Sequence, residues 1–228
     1  MIEGMDQSLG DIMNYLHKNN LEKNTVILFM SDNGGLSAVG RGGEPNTHNM
    51  PLASGKGSAY EGGIREPMIV VWPGVVAPNS VCDKYLIIDD FFPTILQMAG
   101  FKKYSTVQTT DGVSFVPLLT GKGDPSKNRP LFWHYPNCWG PTGPGIAAFS
   151  SIRLNDWKLI YYHASRKFEL FNIPNDIGEM QNLADKEPLI VKKLSKVLGE
   201  YLRKVNAQMP MDKRTGKSVP YPDQIFIN

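Results

Sequence analysis

Apolar residues recur at steps of three and four along the first twenty positions, which is the spacing of an amphipathic helix. The apolar positions of this segment are Ile2, Met5, Leu9, Ile12, Met13 and Leu16. The pattern changes at residues 26–30, where five consecutive apolar residues form a run too short for a typical helix. Because that run is apolar on both faces, we predict a helix ending near residues 19–20 and then a buried strand of a parallel sheet.

Two further apolar stretches continue this alternation. Residues 66–74 predict a second buried strand that ends at a Pro-Gly turn. Residues 86–100 predict a short strand and then a helix that is capped by Asp89 or Asp90 and stopped by a glycine. Strands that alternate with helices indicate an α/β fold, and a parallel sheet needs further strands besides these.

The chain changes character near residue 125. Segments of strand-like composition, separated by turn residues, predict a four-stranded antiparallel sheet; they are residues 129–136, 147–153, 157–163 and 168–172. An amphipathic pattern then predicts a closing helix over residues 189–205, and the Pro- and Lys-rich end of the chain predicts an extended tail. We therefore expect an α/β domain over 1–125 and a smaller subdomain over 126–228.

A polar pair directly follows the first predicted strand. Asp32 offers a carboxylate and Asn33 an amide oxygen, both hard ligands, and the two glycines that follow allow the backbone to turn sharply. Ligands of open α/β sheets gather outside the carboxyl ends of the strands, which is where this pair would lie. Because Asp-Asn-Gly is also common turn chemistry, an ordinary turn is the alternative interpretation.

A long glycine-rich loop at residues 34–63 is the next candidate for function, because loops of this length within a compact domain are uncommon unless they are functional or disordered. Lys56 lies between two glycines, so the backbone can approach a ligand closely while the ammonium group supplies a charge for an anion. Taken alone, Lys56 and His48 are more typical of ordinary solvated loop residues.

Composition limits the classes of function. The 228 residues are 41% hydrophobic and 20% charged, which suits a globular chain with a sizeable core, and the net charge of +2 argues against nucleic-acid binding. Cys82 and Cys138 lack metal-type spacing, which predicts neither a disulfide framework nor a zinc site. No run approaches the roughly 18 apolar residues of a membrane span, and no signal-peptide pattern is visible.

The chain carries a series of ordered motifs: Ser-Asp-Asn-Gly at 31–34, Gly-Lys-Gly at 55–57, Tyr-Glu-Gly-Gly-Ile-Arg-Glu-Pro at 60–67, Trp-Pro-Gly at 72–74, Asp-Phe-Phe-Pro-Thr at 90–94 and Asp-Gly-Val-Ser-Phe at 111–115. Together they resemble the carboxyl-terminal half of a type I, formylglycine-dependent sulfatase. The resemblance continues through residues 151–160 and 169–176, so it covers nearly the whole chain. It implies part of an alkaline-phosphatase-like sheet with flanking helices, followed by the smaller antiparallel sheet subdomain with its closing helix.

The resemblance also implies a site. Asp32 and Asn33 resemble the family's second pair of calcium ligands, and Lys56 resembles its catalytic, sulfate-binding lysine. The full enzyme would hydrolyse sulfate monoesters of a small molecule or glycan, and its expected location is periplasmic, secreted or lysosomal. Since Ca²⁺ takes six to eight oxygen ligands, Asp32 and Asn33 would need further ligands from elsewhere.

One departure from the family pattern matters as much as the match. The family nucleophile is a formylglycine made from the cysteine of a Cys-x-Pro-x-Arg motif, and neither Cys82 nor Cys138 fits that motif. No counterpart of the family's first pair of metal-binding aspartates precedes Asp32. We therefore expect half of an active site, with the formylglycine and the remaining calcium ligands in an amino-terminal half that is missing here.

Two questions stay open at the level of sequence. His134 and the loop at residues 137–145, which is rich in glycine, proline and an aromatic residue, are candidates for substrate recognition, although a strand-end histidine is more often structural. The alternatives to a sulfatase are a phosphate or phosphonate ester hydrolase of the same superfamily and a non-catalytic, vestigial half domain. The missing nucleophile would decide among them.

Overall fold

The computed structural model describes residues 2–37, 49–101, 103–137, 140 and 143–226. The chain divides into two compact units, of which the first comprises Met1–Ser31 and Pro67–Lys127 and the second comprises Asp32–Glu66 and Asn128–Asn228. The glycine-rich loop therefore belongs to the unit that contains the carboxyl-terminal residues, and not to the unit that contains residues 1–31 and 67–127. The domain assignment made from the sequence, with its division near residue 125, stays a prediction.

The helices and strands of the described residues follow in chain order. The helices are α1 (Ile2–Lys18), α2 (Glu61–Ile64), α3 (Phe91–Met98), α4 (Val116–Leu119) and α5 (Pro188–Lys204). The strands are β1 (Ile27–Met30), β2 (Met68–Val71), β3 (Leu131–Tyr135), β4 (Phe149–Leu154), β5 (Trp157–Tyr162), β6 (Lys167–Asn172), β7 (Met211–Asp212) and β8 (Lys217–Ser218). Short 3₁₀ segments occupy Glu22–Asn24, Ile88–Asp90 and Pro222–Phe226. In the described part of the chain, no helix combines the length and the apolar character needed to cross a membrane.

The first unit confirms the opening helix and strand but not the direction of their sheet. β1 pairs with β2 in antiparallel register, with Ile27 opposite Val71 and Met30 opposite Met68. The sequence predicted that β1 is a buried strand of a parallel sheet, whereas its pairing with β2 is antiparallel. β1 is also only half-buried, and its last residue is exposed. A continuous apolar run indicates burial on two faces, but it carries no information on the direction of the neighbouring strand.

The segment before α3 also differs from expectation. A 3₁₀ turn stands where a short strand was predicted, because the buried carboxylate of Asp90 accepts hydrogen bonds from two backbone amides. Its Oδ2 accepts from the Ile87 amide at 3.1 Å, and its Oδ1 accepts from the Val113 amide at 2.8 Å. Asp90 does hold the N-cap position of α3, but its side chain ties this turn to residue 113 instead of capping the helix.

The second unit confirms the four-stranded antiparallel sheet, in the order β3-β4-β5-β6. Positive φ angles of 53° at Asn155 and 57° at Arg166 occur at the two predicted turns. Alternation along the strands gives each face its own apolar core. One face packs against α5 through Ile152, Leu159, Tyr161, Leu170, Leu194, Leu198 and Leu202. The other face gathers Ala59, Phe149, Ile160, Phe171 and Ile173.

The end of the chain is not an extended tail. β7 and β8 form an antiparallel hairpin, and the 3₁₀ segment Pro222–Phe226 follows it. Val219 is buried in the core beside α5, and Tyr221 and Ile225 pack against the same core. These few apolar residues are spaced too irregularly to predict an element, but all three pack into the core between the sheet and α5.

Candidate functional site

The backbone just after Asp32 and Asn33 is held by a close contact between glycines. The Gly34 amide donates to the Gly63 carbonyl oxygen at 3.3 Å. A Cβ placed on Gly34 would lie 1.7 Å from the carbonyl oxygen of Gly62, so no other residue fits here without moving the backbone. The backbone that follows Asp32 and Asn33 is therefore held against Gly62 and Gly63 of α2.

Lys56 is anchored to the same turn. Its backbone amide donates to the Gly35 carbonyl oxygen at 3.1 Å, and the side-chain amide of Asn49 donates to that oxygen at 3.0 Å. Asn49 also accepts from the Gly35 amide at 3.1 Å and donates to the Ser54 carbonyl oxygen at 2.8 Å. A Cβ on Gly55 would lie 2.2 Å from the Gly35 oxygen, which explains the glycine that precedes Lys56. The structure thus joins the two predicted parts of the site, Asp32–Asn33 and Lys56, through one residue, Gly35.

The donor chemistry of Asp32 and Asn33 fits a hard cation in part. Asp32 is exposed, and the Asn33 side-chain amide donates to its Oδ1 at 2.5 Å, an arrangement that sets the two side chains next to each other. A carboxylate and an amide oxygen are ligands that Ca²⁺ takes. Within the described ranges, no group of three or more His, Cys, Asp and Glu side chains is arranged to hold a metal ion. These residues can supply two positions of a calcium sphere.

Glu66 is a residue of the site that the sequence interpretation missed. Burial, followed by the negative charge of Asp32, raises the pKa of Glu66 to about 7. Its Oε1 is buried and has no hydrogen-bond partner among the described residues. In the sequence, Glu66 lies within the Tyr-Glu-Gly-Gly-Ile-Arg-Glu-Pro motif and directly before an apolar strand, but neither feature assigns its carboxylate to a site. The structure therefore adds a second carboxylate near Asp32.

His134, the predicted substrate contact, has both ring nitrogens within hydrogen-bonding distance of other protein groups. Nε2 faces the Gln208 carbonyl oxygen at 3.1 Å and must donate, so Nδ1 accepts from the Ser150 hydroxyl at 2.8 Å. That hydroxyl in turn accepts from Nε2 of the buried His163 at 2.8 Å. Both ring nitrogens of His134 are thus occupied by hydrogen bonds within the protein, and a role of His134 in substrate binding stays a prediction.

The described end of the 137–145 loop is tied to the segment after Lys56. The Ser58 hydroxyl donates to the Pro144 carbonyl oxygen at 3.0 Å, and the Ala59 amide donates to the Gly145 carbonyl oxygen at 3.0 Å. Residues 138, 139, 141 and 142 of this loop and His48 lie outside the described residues. Cys82 is exposed and has a free thiol.

Two family models match the chain. One is described as "Sulfatase" and matches residues 1–101, and the other is described as "N-sulphoglucosamine sulphohydrolase, C-terminal" and matches residues 55–208. Among curated relatives, the chain is 33% identical to a sulfatase of Formosa agariphila, over 97% of the chain and 42% of the relative. It is 31% identical to N-acetylgalactosamine-6-sulfatase of Mus musculus, over 80% of the chain and 32% of the relative.

Solved structures give the same picture. Ps i-CgsB in complex with k-i-k-neocarrahexaose superposes with a TM-score of 0.74 at 30% identity, covering 88% of the chain and 41% of that protein. BT4656 in complex with its substrate D-glucosamine-2-N,6-O-disulfate superposes with a TM-score of 0.67 at 26% identity, covering 89% of the chain and 39% of that protein. The chain thus spans about two fifths of the length of the relatives it matches most fully.

Proposed function

The chain belongs to the sulfatase family, and on that premise we propose that it supplies the sulfate-binding part of a sulfuric ester hydrolase that acts on a sulfated carbohydrate. The observation that carries the proposal is the junction at Gly35, which holds the backbone of Lys56 next to the turn that follows Asp32 and Asn33. A lysine ammonium group and a candidate calcium site whose backbones are joined by a hydrogen bond suit an anionic ester. Two structural neighbours were solved with carbohydrate ligands, and this supports the same substrate class here.

In the proposed site, Lys56 binds the non-bridging oxygens of the sulfate group. Its ammonium group stabilises the charge that develops on those oxygens as the ester bond breaks, and it needs little rearrangement because its backbone is fixed at Gly35. Asp32 and Asn33 would hold the family's calcium ion, which would supply a second positive charge beside the same oxygens.

We further propose that the nucleophile and the other calcium ligands come from residues outside this chain. Two considerations support this. Asp32 and Asn33 supply two of the six to eight oxygens that Ca²⁺ takes, and neither Cys82 nor Cys138 lies in the sequence motif from which formylglycine is made. The chain covers 42% of the sulfatase of Formosa agariphila and 32% of the N-acetylgalactosamine-6-sulfatase of Mus musculus, which is consistent with a site completed by a further, amino-terminal part of the same enzyme.

The test is an assay of the whole protein, with added Ca²⁺, on 4-nitrophenyl sulfate and on 4-nitrophenyl phosphate. Preferential hydrolysis of the sulfate ester is expected. Hydrolysis of the phosphate ester alone would favour the alternative phosphate or phosphonate hydrolase. Hydrolysis of neither ester, by protein whose fold is verified by circular dichroism, would favour the non-catalytic alternative.

A further inference from the structure

Three charged side chains meet in the interior of the second unit, apart from the residues assigned above. Lys158 on β5 has no exposed surface, and its Nζ lies 3.1 Å from Oε1 of Glu61 and 2.8 Å from Oε1 of Glu179. The two carboxylates come from α2 and from the turn that follows residue 176. Buried charges of this kind are held only by close partners, since each has given up its hydration.

The three groups fix backbone as well as side chains. Glu179 accepts the backbone amide of Glu61 through its Oε2 at 2.6 Å, so it binds the first turn of α2 directly. Its own backbone has a φ of 51°, a left-handed conformation that is unusual for glutamate and that has to be held by its contacts. Lys158 thus joins a strand of the central sheet to α2 through both Glu61 and Glu179.

α2 in turn contacts both parts of the candidate site. The Gly62 amide donates to the Ala53 carbonyl oxygen at 2.9 Å, on the segment that leads to Lys56. The Gly63 carbonyl oxygen accepts from the Gly34 amide, next to Asn33. The spacing between the lysine and the polar pair therefore depends on where α2 lies.

We propose that Lys158 is a positioning residue: by holding α2 through Glu61 and Glu179, it sets the backbone of Lys56 relative to that of Asp32 and Asn33. The functional consequence rests on the proposed sulfatase activity, whereas the structural consequence does not. The competing explanation is that Lys158 only stabilises the fold, and the two make different predictions for local and global opening.

The first experiment measures amide hydrogen exchange by NMR in the 228-residue chain carrying Lys158→Met. Exchange at Gly34 and Gly62 is expected to accelerate by about tenfold more than exchange at the amides of β4 and β5, because local opening of the α2 contacts precedes global unfolding. Leu198→Ala is the matched control, since Leu198 is a fully buried residue of α5 and belongs to a core that does not include α2. It should accelerate exchange at Gly34 and Gly62 no more than exchange at the amides of β4 and β5. The same result in Lys158→Met would overturn the proposal.

If Lys158→Met does not fold, Glu61→Gln serves the same purpose. It keeps an oxygen for the Lys158 ammonium group and removes one charge, so it should show the same selective acceleration at a smaller size. Uniform acceleration in this variant would count against the proposal just as directly.

The second experiment uses the whole protein at saturating Ca²⁺ and over a range of substrate concentrations, well below its melting temperature. Per folded molecule, Lys158→Met should lower kcat by about tenfold with little change in KM. The reason is that a displaced Lys56 stabilises the charge of the transition state less well. Leu198→Ala should leave both constants unchanged. An unchanged kcat in Lys158→Met would overturn the functional part of the proposal. Absence of sulfate hydrolysis in the unmodified protein would instead reject the proposed function, and the exchange experiment would still decide whether Lys158 positions α2.

Discussion

Nζ of Lys158 and Oε1 of Glu179 lie 2.8 Å apart, and neither side chain is accessible to solvent. Burial raises the pKa of Glu179, while the positive charge of Lys158 opposes that rise. Each of the two buried charges is therefore tolerated only because the other lies beside it.

Removing one member of this pair should destabilise the protein strongly. We expect Lys158→Met to lower the free energy of unfolding by about 3–5 kcal/mol, since it leaves the buried carboxylate of Glu179 without its cation, while Glu61 keeps Arg65 at 3.7 Å. The double variant Lys158→Met/Glu179→Gln should lose clearly less than the sum of the two single changes, because it removes both charges and keeps an acceptor for the Glu61 amide. Urea denaturation of the three variants measures the difference. Additive losses would mean that Lys158 and Glu179 are not energetically coupled.

The buried group of Lys158, Glu61 and Glu179 also shows which contacts the sequence does not predict. The periodicities of α1 and α5 and the four strands β3 to β6 were predicted, because each is encoded within a short stretch of chain. Lys158 is 97 residues from Glu61 in the sequence. A lysine inside a strand pattern gives no sign of full burial, and only the packing of α2 on the sheet reveals its partners.

The same distinction applies to the candidate site, where some features were predicted from the local sequence and others were not. The motifs pointed to Asp32, Asn33 and Lys56, but not to their shared junction at Gly35. That junction, the antiparallel pairing of β1 with β2, the packing of the chain end on the core and the raised pKa of Glu66 all depend on contacts between segments that are separated in the sequence. Local sequence patterns carry no information on such contacts.

Loss of the Lys56 ammonium group should slow sulfate-ester hydrolysis by the whole protein. We expect Lys56→Ala to lower kcat/KM for 4-nitrophenyl sulfate by roughly 10²-fold or more, the scale of losing one preorganised charge stabiliser. Lys167→Ala is the control, because Lys167 is an exposed lysine of the same unit on β6. Activity of Lys56→Ala within a few-fold of the unmodified protein would remove Lys56 from the site.

The 137–145 loop is expected to select the substrate. Changing Trp139 to Ala in the whole protein should shift the preference among sulfated glycans while 4-nitrophenyl sulfate is still cleaved, because recognition of a larger substrate uses loop residues that the small ester does not reach. His134→Asn tests the same prediction for the histidine, with the Ser150 hydrogen bond as an additional structural role. Equal loss on every substrate would indicate a folding defect.

The buried His163 should make stability fall in mild acid. Burial, with His134 as the second cause, lowers the pKa of His163 from an ordinary value of 6.5 to about 4. Between these two pH values the unfolded chain binds a proton that the folded chain does not, so stability is lost as pH falls from about 6.5 toward 4, by up to about 3 kcal/mol. His163→Asn should flatten this part of the profile of unfolding free energy against pH. The exposed His17, changed to Asn, serves as the control and should leave the profile intact.

The last prediction concerns the 228-residue chain by itself, which should have no sulfatase activity and should bind Ca²⁺ only weakly. Neither Cys82 nor Cys138 lies in a formylglycine motif, so the covalent route that divides the reaction into easier steps has no nucleophile among these residues. Asp32 and Asn33 supply one negative charge and two side-chain oxygens, which leaves a bound cation with most of its water. The measurements are calcium titration by calorimetry and an aryl-sulfate assay, first on the chain alone and then after mixing with an upstream segment that carries a matured formylglycine. Activity should appear only in the mixture, and Lys56→Ala in the chain should abolish most of it. Turnover by the chain alone would contradict the proposal, because it would require a nucleophile that lies among these 228 residues.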